Sequence, residues 1–134
     1  MRFGAIVLAG VAVLAVASCS ETTKKPLPAI TAAEVNGEAI MAADQRPGDW
    51  LSHGRTYSEQ RFSPLKQITT ANVTDAGLAW FADLDTNRGM ESTPIVVDGT
   101  MYVTSSWSVV YALDARTGER KWKYDPGVDK ARGV

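Results

Sequence analysis

The sequence contains few of the residues that cross-link a small domain or build a metal centre. It has one cysteine, Cys19, and one histidine, His53. A single cysteine excludes a disulfide within the chain, because that bond needs two thiols. His53 has no cysteine, histidine or acidic partner at the spacing of a metal site. We therefore predict no metal ligand within this chain.

The sequence also lacks an excess of charge of either sign. Its 134 residues include 14 basic and 15 acidic side chains, for a formal net charge of −1, and no basic run. Domains that bind nucleic acid carry a basic patch or stripe that neutralises phosphates. We therefore predict no nucleic-acid partner.

No apolar run is long enough to cross a bilayer. The longest, Phe3 to Ala17, has 15 residues, whereas a span needs about 20. It follows the basic Arg2 and ends in small residues, as a signal peptide does. Ala15-Val16-Ala17 fits ordinary cleavage, whereas Val16-Ala17-Ser18-Cys19 resembles the box at which bacterial lipoproteins are lipidated on cysteine. We predict a lipoprotein-like signal peptide over residues 1–19, lipidation of Cys19 with ordinary cleavage as the alternative, and a periplasmic location in which only this lipid contacts the membrane.

Two segments of different composition follow the leader. Residues 20–47 hold few large side chains, include Pro26 and Pro28 and sustain no period, so we predict a flexible linker with a turn or two of helix near Ala39 to Asp44. The foldable part of the chain is 48–134. Its first stretch carries aromatic side chains at irregular spacing, as loops pinned to a larger body do; these are Trp50, Tyr57 and Phe62.

Short β runs occupy the middle of the foldable part. Leu78 to Leu84 alternates apolar with other side chains, and Pro94 to Thr104 contains two runs joined by Asp98-Gly99, a pair that favours a two-residue type I′ hairpin. Val109 to Leu113 forms another run. Together they predict four consecutive antiparallel strands, which fit within the ~40–45 residues of one propeller blade.

An 11-residue motif follows the last of these runs. Asp114 and Thr117 can close a turn by side-chain hydrogen bonds to the backbone, and Gly118 can supply a left-handed residue. Trp122 would then open the next strand and fill a gap between blades. The spacing A-x-D-x-x-T-G-x-x-x-W resembles the tryptophan-docking motif of quinoprotein dehydrogenases and related PQQ-like propellers; it is formed by Ala112, Asp114, Thr117, Gly118 and Trp122.

Segments outside this motif are similar to PQQ-dependent methanol and ethanol dehydrogenases over about Asp49 to Asp129. They include Trp50, Gly54-Arg55, Leu78-Ala79-Trp80 and Arg88-Gly89-Met90-Glu91-Ser92-Thr93-Pro94, while Ser106 to Asp114 looks closest to the quinohaemoprotein alcohol dehydrogenases. The resemblance implies an all-β fold. The chain would hold the first blade and the start of the second of an eight-bladed quinoprotein-type β-propeller, preceded by the signal peptide and the flexible linker.

The resemblance also implies a cofactor contact. The glutamate of the family's R-G-x-E motif reaches pyrroloquinoline quinone (PQQ), and it maps onto Glu91; the alternative is a solvated loop glutamate. The family's catalytic aspartate, calcium ligands and adjacent cysteine pair come later in its chains. The resemblance therefore implies Ca²⁺ held by residues outside this chain and no catalytic residue within it.

For the whole protein, the resemblance implies a periplasmic dehydrogenase that oxidises small alcohols by hydride transfer to PQQ. It would pass electrons to an acceptor such as a cytochrome c and could carry haem c. We expect this chain to be an N-terminal fragment that is inactive alone. The alternative is a non-enzymatic PQQ-like propeller lipoprotein, which acts as a scaffold in outer-membrane assembly and carries the same repeats.

Overall fold

The computed structural model describes Lys25 and residues 27–132. The predicted signal peptide, including Cys19, lies outside the described residues, and so does the first part of the predicted linker, apart from Lys25. Within the described part, no helix is long and apolar enough to cross a membrane.

One antiparallel sheet forms the body of the described chain. Its four strands are β1 (Ile95–Val97), β2 (Thr100–Thr104), β3 (Val110–Asp114) and β4 (Arg120–Tyr124), and they lie in the order β1-β2-β3-β4. One short α-helix, α1 (Gly37–Met41), precedes them. Short 3₁₀ turns cover Ala32–Glu34, Ala43–Gln45, Val73–Asp75, Ser106–Ser108 and Lys130–Arg132.

The predicted hairpin is confirmed. Asp98 and Gly99 have φ values of 46° and 67°, and β1 and β2 pair directly on either side of them. Both central residues of a type I′ turn need positive φ, which glycine adopts freely and aspartate tolerates.

The segments that form the sheet differ from the predicted ones. We expected Leu78 to Leu84 to supply its first strand, but this segment carries no strand, and β4 pairs with β3 instead. Alternation makes a segment compatible with a strand, but a strand also needs a neighbour with free backbone groups. The Asp114–Glu119 turn places β4 directly against β3, so Trp122 lies in the fourth strand of this sheet.

The core lies on one face of β3. Tyr111 and Leu113 are buried there, because alternate residues of a strand point to the same face, and Val109, just before the strand, is buried with them. Partly buried side chains pack against them from the rest of the chain: Trp80, Leu84, Met101, Val103 and Trp107. Residues 78–84 thus cover the sheet face without joining the sheet. β4 is exposed along its whole length.

The opening segment of the foldable part, residues 48–68, contacts the free edge of β1. Trp50 donates its backbone N–H to the carbonyl of Val96 at 2.8 Å and accepts from the N–H of Val96 at 3.0 Å. A carboxylate oxygen of Asp49 accepts from the N–H of Asp98 at 3.2 Å. These bonds satisfy part of an edge that would otherwise present unpaired backbone groups.

A buried arginine joins this opening segment to the residues before it. Arg55 is 3% exposed. Its guanidinium donates to the carbonyl of Ala43 at 2.8 Å, to the carboxylate of Asp44 at 3.1 Å and to the carbonyl of Phe62 at 3.2 Å. A buried charge is tolerated only when it is paired and hydrogen-bonded. The last residues of the predicted linker therefore pack on the body of the chain, and Ala43 is buried among them.

Candidate functional site

The sheet has two ends with different contents. The turn end carries the Asp98-Gly99 hairpin and the Asp114–Glu119 connection. The loop end carries three other segments: the lead-in to β1 (residues 85–94), the β2–β3 connection (residues 105–109) and the residues after β4. The pairings of Ile95 with Tyr102, of Thr104 with Val110 and of Val110 with Tyr124 place all three segments at this end of the sheet.

At the turn end, Asp114 organises the connection between β3 and β4. Its Oδ1 accepts hydrogen bonds from the N–H groups of Arg116 at 3.0 Å and Thr117 at 3.1 Å, and from the Thr117 hydroxyl at 3.3 Å. Its backbone carbonyl accepts from Gly118 N–H at 2.8 Å. The backbone N–H donors of Arg116 and Thr117 are the main reason that the pKa of the Asp114 carboxyl lies below its ordinary value.

Gly118 is required at this turn for two reasons. Its φ is 75°, in the left-handed region, and a Cβ at this position would lie 2.7 Å from Cδ2 of Trp80. The Trp80 indole is held there by its Nε1–H, which donates to the carbonyl of Ala115 at 3.2 Å. The tryptophan that covers the motif glycine within this chain is therefore Trp80.

The other members of the motif lie on the two strands. Ala112 is fully buried and pairs in register with Trp122. Trp122 is 45% exposed, and its ring meets Tyr102 with 5.8 Å between centroids and 52° between planes. The Trp122 side chain is therefore only partly covered by the described chain.

At the loop end, Glu91 lies in the lead-in to β1 and is exposed. From the part of the chain that the structure describes, no hydrogen bond or ion pair reaches its carboxylate. The residues around it are held. Thr86 donates its hydroxyl to Ser106 at 3.2 Å, and Ser92 Oγ accepts from the N–H of Thr104 at 3.2 Å and from its hydroxyl at 3.1 Å.

Ionic contacts of the Asp85 carboxylate connect the lead-in to β4. Asp85 accepts from Lys123 Nζ at 2.8 Å and lies 3.5 Å from Arg120 Nη1. The hydrogen bond from Lys123 lowers the pKa of the Asp85 carboxyl, and the same contact raises the pKa of Lys123. The backbone N–H of Asp85 donates to the buried Tyr111 hydroxyl at 3.3 Å, so this group also fixes the lead-in on the core.

Within the part of the chain that the structure describes, neither end of the sheet holds a metal cluster. Among the residues that the structure describes, no group of three or more His, Cys, Asp or Glu side chains could hold a metal ion. His53 lies in the opening segment, 3.5 Å from a carboxylate oxygen of Glu59 and in contact with Arg61.

Comparison with known proteins identifies the fold that these elements belong to. Residues 50–134 match the PQQ family, which is described as glucose/ethanol/alcohol dehydrogenase, beta-propeller domain. The chain belongs to this PQQ dehydrogenase family. The resemblance seen in the sequence is confirmed, and the four-stranded antiparallel sheet fits part of a propeller, as expected.

Relatives of this PQQ-propeller chain are alcohol dehydrogenases. It is 60% identical over 108 residues to the quinohemoprotein alcohol dehydrogenase ADH-IIG of Pseudomonas putida, covering 78% of this chain and 15% of that protein. It is also 60% identical over 92 residues to the dehydrogenase subunit of a quinone-linked alcohol dehydrogenase of Komagataeibacter europaeus, covering 69% and 12%. The chain thus spans less than a sixth of the length of these relatives.

Solved structures show the same architecture. The structure of ADHIIG from Pseudomonas putida HK5 matches with a TM-score of 0.71 at 62% identity, covering 73% of this chain and 14% of that one. A europium-containing methanol dehydrogenase matches with a TM-score of 0.62 at 36% identity, covering 69% and 17%.

The structure brings the predicted residues of this PQQ-propeller chain together only in part. The five motif residues meet around one turn and its two strands, whereas Glu91 lies at the other end of the sheet. The sequence alone did not indicate that Trp80 contacts the motif turn or that Trp107 contacts the lead-in. Trp80 lies 35 positions before its partner Ala115, and no local pattern indicates a contact at that separation.

Proposed function

We propose that this chain is the N-terminal part of a PQQ-dependent alcohol dehydrogenase and that Glu91 contacts its cofactor. The observation that carries the proposal is the state of Glu91. Its carboxylate is exposed and without a partner in the described chain, although the backbone on both sides of it is fixed to the sheet. Such a carboxylate is available to a group that this part of the chain does not supply.

The residues present fit one edge of the cofactor. PQQ combines an ortho-quinone with a pyrrole N–H and three carboxylates. An ionised glutamate has only acceptor oxygens, so Glu91 suits the N–H and not the carboxylates. Glu91 is exposed in the described chain, so the other walls of the site would come from residues beyond those described.

In the proposed enzyme, Glu91 would hold one edge of PQQ, which would supply the hydride acceptor for the oxidation of a small alcohol. The part that this chain plays is to orient one edge of the cofactor through Glu91, which is the protein's usual contribution to cofactor chemistry. We further propose Ca²⁺ held by ligands elsewhere in the protein, an electron acceptor such as a cytochrome c and, since the relative ADH-IIG is named a quinohemoprotein, a haem c.

Exposed apolar side chains support the proposal that a larger body covers this chain. They include Phe62, Ile68, Leu78 and Phe81, which are between 68% and 82% exposed. Phenylalanine, isoleucine and leucine are among the residue types most often buried in folded proteins. We expect residues 1–134 alone to show no dye-linked alcohol oxidation with added PQQ and Ca²⁺; measurable turnover would contradict that expectation.

The proposed location is the periplasm, with a possible lipid on Cys19. The apolar run before Cys19 and the Val16-Ala17-Ser18-Cys19 sequence support it. Metabolic labelling with a fatty-acid probe should mark the wild type and not Cys19→Ser, whereas equal labelling of both would overturn the lipid assignment. The scaffold alternative gains no support from the relatives described above, which are dehydrogenases.

The cofactor contact is tested in the full-length protein. We expect Glu91→Gln to weaken PQQ binding to the apoprotein by about 10- to 100-fold, the worth of one hydrogen bond to a charged group. The matched control is Glu119→Gln, which changes an exposed glutamate at the turn end. Quenching of tryptophan fluorescence gives the dissociation constant. An unchanged constant in Glu91→Gln would remove Glu91 from the site.

A further inference from the structure

The lead-in that carries Glu91 contacts the end of β2 and the β2–β3 connection at three points. Thr86 bonds to Ser106, Ser92 bonds to Thr104 at the end of β2, and the guanidinium carbon of Arg88 lies 4.7 Å from the ring centroid of Trp107. Two of these contacts precede Glu91 and one follows it directly. The backbone at Glu91 is therefore fixed from both sides, while no hydrogen bond or ion pair from the described chain reaches its carboxylate.

Trp107 connects this contact to the core. Its indole is half-buried and packs against the cluster of Val109, Tyr111 and Leu113. The core thus holds the ring, while the Arg88 guanidinium lies over the ring from the lead-in. A cation over an indole is the strongest form of cation–π contact, and a guanidinium can also stack on the ring by its plane.

The backbone at Trp107 is held in an unusual conformation. Trp107 has a φ of 66° and Ser108 a φ of 59°, so two successive residues that are not glycine lie in the left-handed region. Such conformations persist only where the surrounding structure fixes them, and they cluster at functional sites. Here they turn the chain sharply between β2 and β3, with Trp107 beneath Arg88 and Val109 returned to the core.

The geometry points to Arg88 and Trp107 as positioning residues, a stacked pair that sets the placement of Glu91 toward the cofactor. This inference rests on the proposed function, because it gives Arg88 and Trp107 a role only if Glu91 contacts PQQ. A site residue must be held close to its productive geometry by neighbours that are themselves locked by packing. Trp107 is locked by its packing against the core, and the contact of Arg88 with Trp107 restrains the lead-in.

The test measures PQQ binding by the full-length apoprotein with Arg88 variants. We expect Arg88→Gln to weaken binding by about 3- to 10-fold, because the lead-in loses its stacking partner. Arg88→Lys keeps a cation but loses the planar guanidinium, so its affinity for PQQ should lie between those of Arg88→Gln and the wild type. The matched control is Arg116→Gln, an exposed arginine at the turn end, which should leave the dissociation constant unchanged.

A second pair of variants separates positioning from general stability. We expect Trp107→Ala to weaken PQQ binding in the wild-type background and to add little in the Glu91→Gln background, because it acts through Glu91. Trp107→Phe keeps an aromatic ring and should restore most of the affinity. Additive effects of Trp107→Ala and Glu91→Gln would mean independent roles and would overturn the inference.

The two proposals fail in different ways. If Glu91→Gln leaves PQQ binding unchanged, the proposed cofactor contact is wrong and the positioning role falls with it. If Glu91→Gln weakens binding but Arg88→Gln does not, the contact stands and the positioning role is wrong. The Arg88 variants decide this even if Trp107→Ala fails to fold, because Arg88 is exposed and lies outside the core.

Discussion

The two ends of the sheet use their polar side chains in opposite ways. At the turn end, Asp114, Thr117 and the backbone of Gly118 bond to one another within a few residues. At the loop end, hydrogen bonds hold the backbone around Glu91, but none from the described chain reaches its carboxylate. A polar group that bonds within its own turn stabilises the fold, whereas one that is fixed in place and left without a partner is available to a ligand.

Gly118→Ala should have the largest effect on folding, because it disturbs the turn end at its most crowded point. A left-handed residue other than glycine costs about 1–3 kcal/mol, and the new Cβ would also overlap the Trp80 ring. We expect a loss of about 3 kcal/mol in the free energy of unfolding of the full-length protein, measured from the urea midpoint.

Gly99→Ala is the matched control for this substitution. Gly99 has a similar φ of 67°, but a Cβ there would meet nothing within 4 Å. We expect a loss of only about 1 kcal/mol, from the backbone conformation alone. Equal losses for the two variants would show that Trp80 does not press on Gly118.

The sequence predicted what depends on neighbours in the chain and missed what depends on distant ones. The Asp98-Gly99 hairpin and strands β2 and β3 follow from residue types at adjacent positions. The contact between Trp80 and Gly118 does not, because it joins segments far apart in sequence. Leu78 to Leu84 has the alternation of a strand, yet in the described chain it lies over the sheet face, since β4 already pairs with the edge of β3.

At the loop end, too, the contacts between distant segments could not be predicted from the sequence. A resemblance in the sequence singled out Glu91, and the structure places it beside the β2–β3 connection through the contacts of Thr86, Arg88 and Ser92. The left-handed backbone of Trp107 has no sequence signal, because tryptophan rarely adopts that conformation. The support around a candidate site residue therefore had to be read from the structure.

Acid should destabilise the turn end by a smaller amount. The pKa of Asp114 is lowered in the folded state, chiefly by the N–H donors of Arg116 and Thr117. A carboxyl with a depressed pKa contributes stability above its unfolded value, near 3.9, and loses that contribution as the pH falls through the folded-state value. We expect the stability of the full-length protein to fall below about pH 4 in part for this reason.

Asp114→Asn isolates the charge in this experiment, because the amide oxygen can still accept the two backbone hydrogen bonds. We expect the variant to be less stable than the wild type at neutral pH and to lose less stability between pH 4 and pH 2, measured by urea unfolding at each pH. Asp85, whose pKa is lowered by Lys123, remains in both proteins, so part of the acid effect should persist. Identical losses over this range would mean that Asp114 does not contribute.

Glu91→Gln should have the smallest effect on folding, although it is expected to have the largest effect on cofactor binding. Exposed substitutions away from caps, pairs and cores change the free energy of unfolding by no more than about 0.5 kcal/mol, and Glu91 has no partner in the described chain. Ser92→Ala, one position along, removes the acceptor for two hydrogen bonds from Thr104 and should cost about 1 kcal/mol. Urea unfolding of the apoprotein compares the two variants without the cofactor. If Glu91→Gln destabilised the apoprotein as much as Ser92→Ala, the Glu91 carboxylate would be bonded within the protein, as the polar groups of the turn end are, and would no longer be available to PQQ.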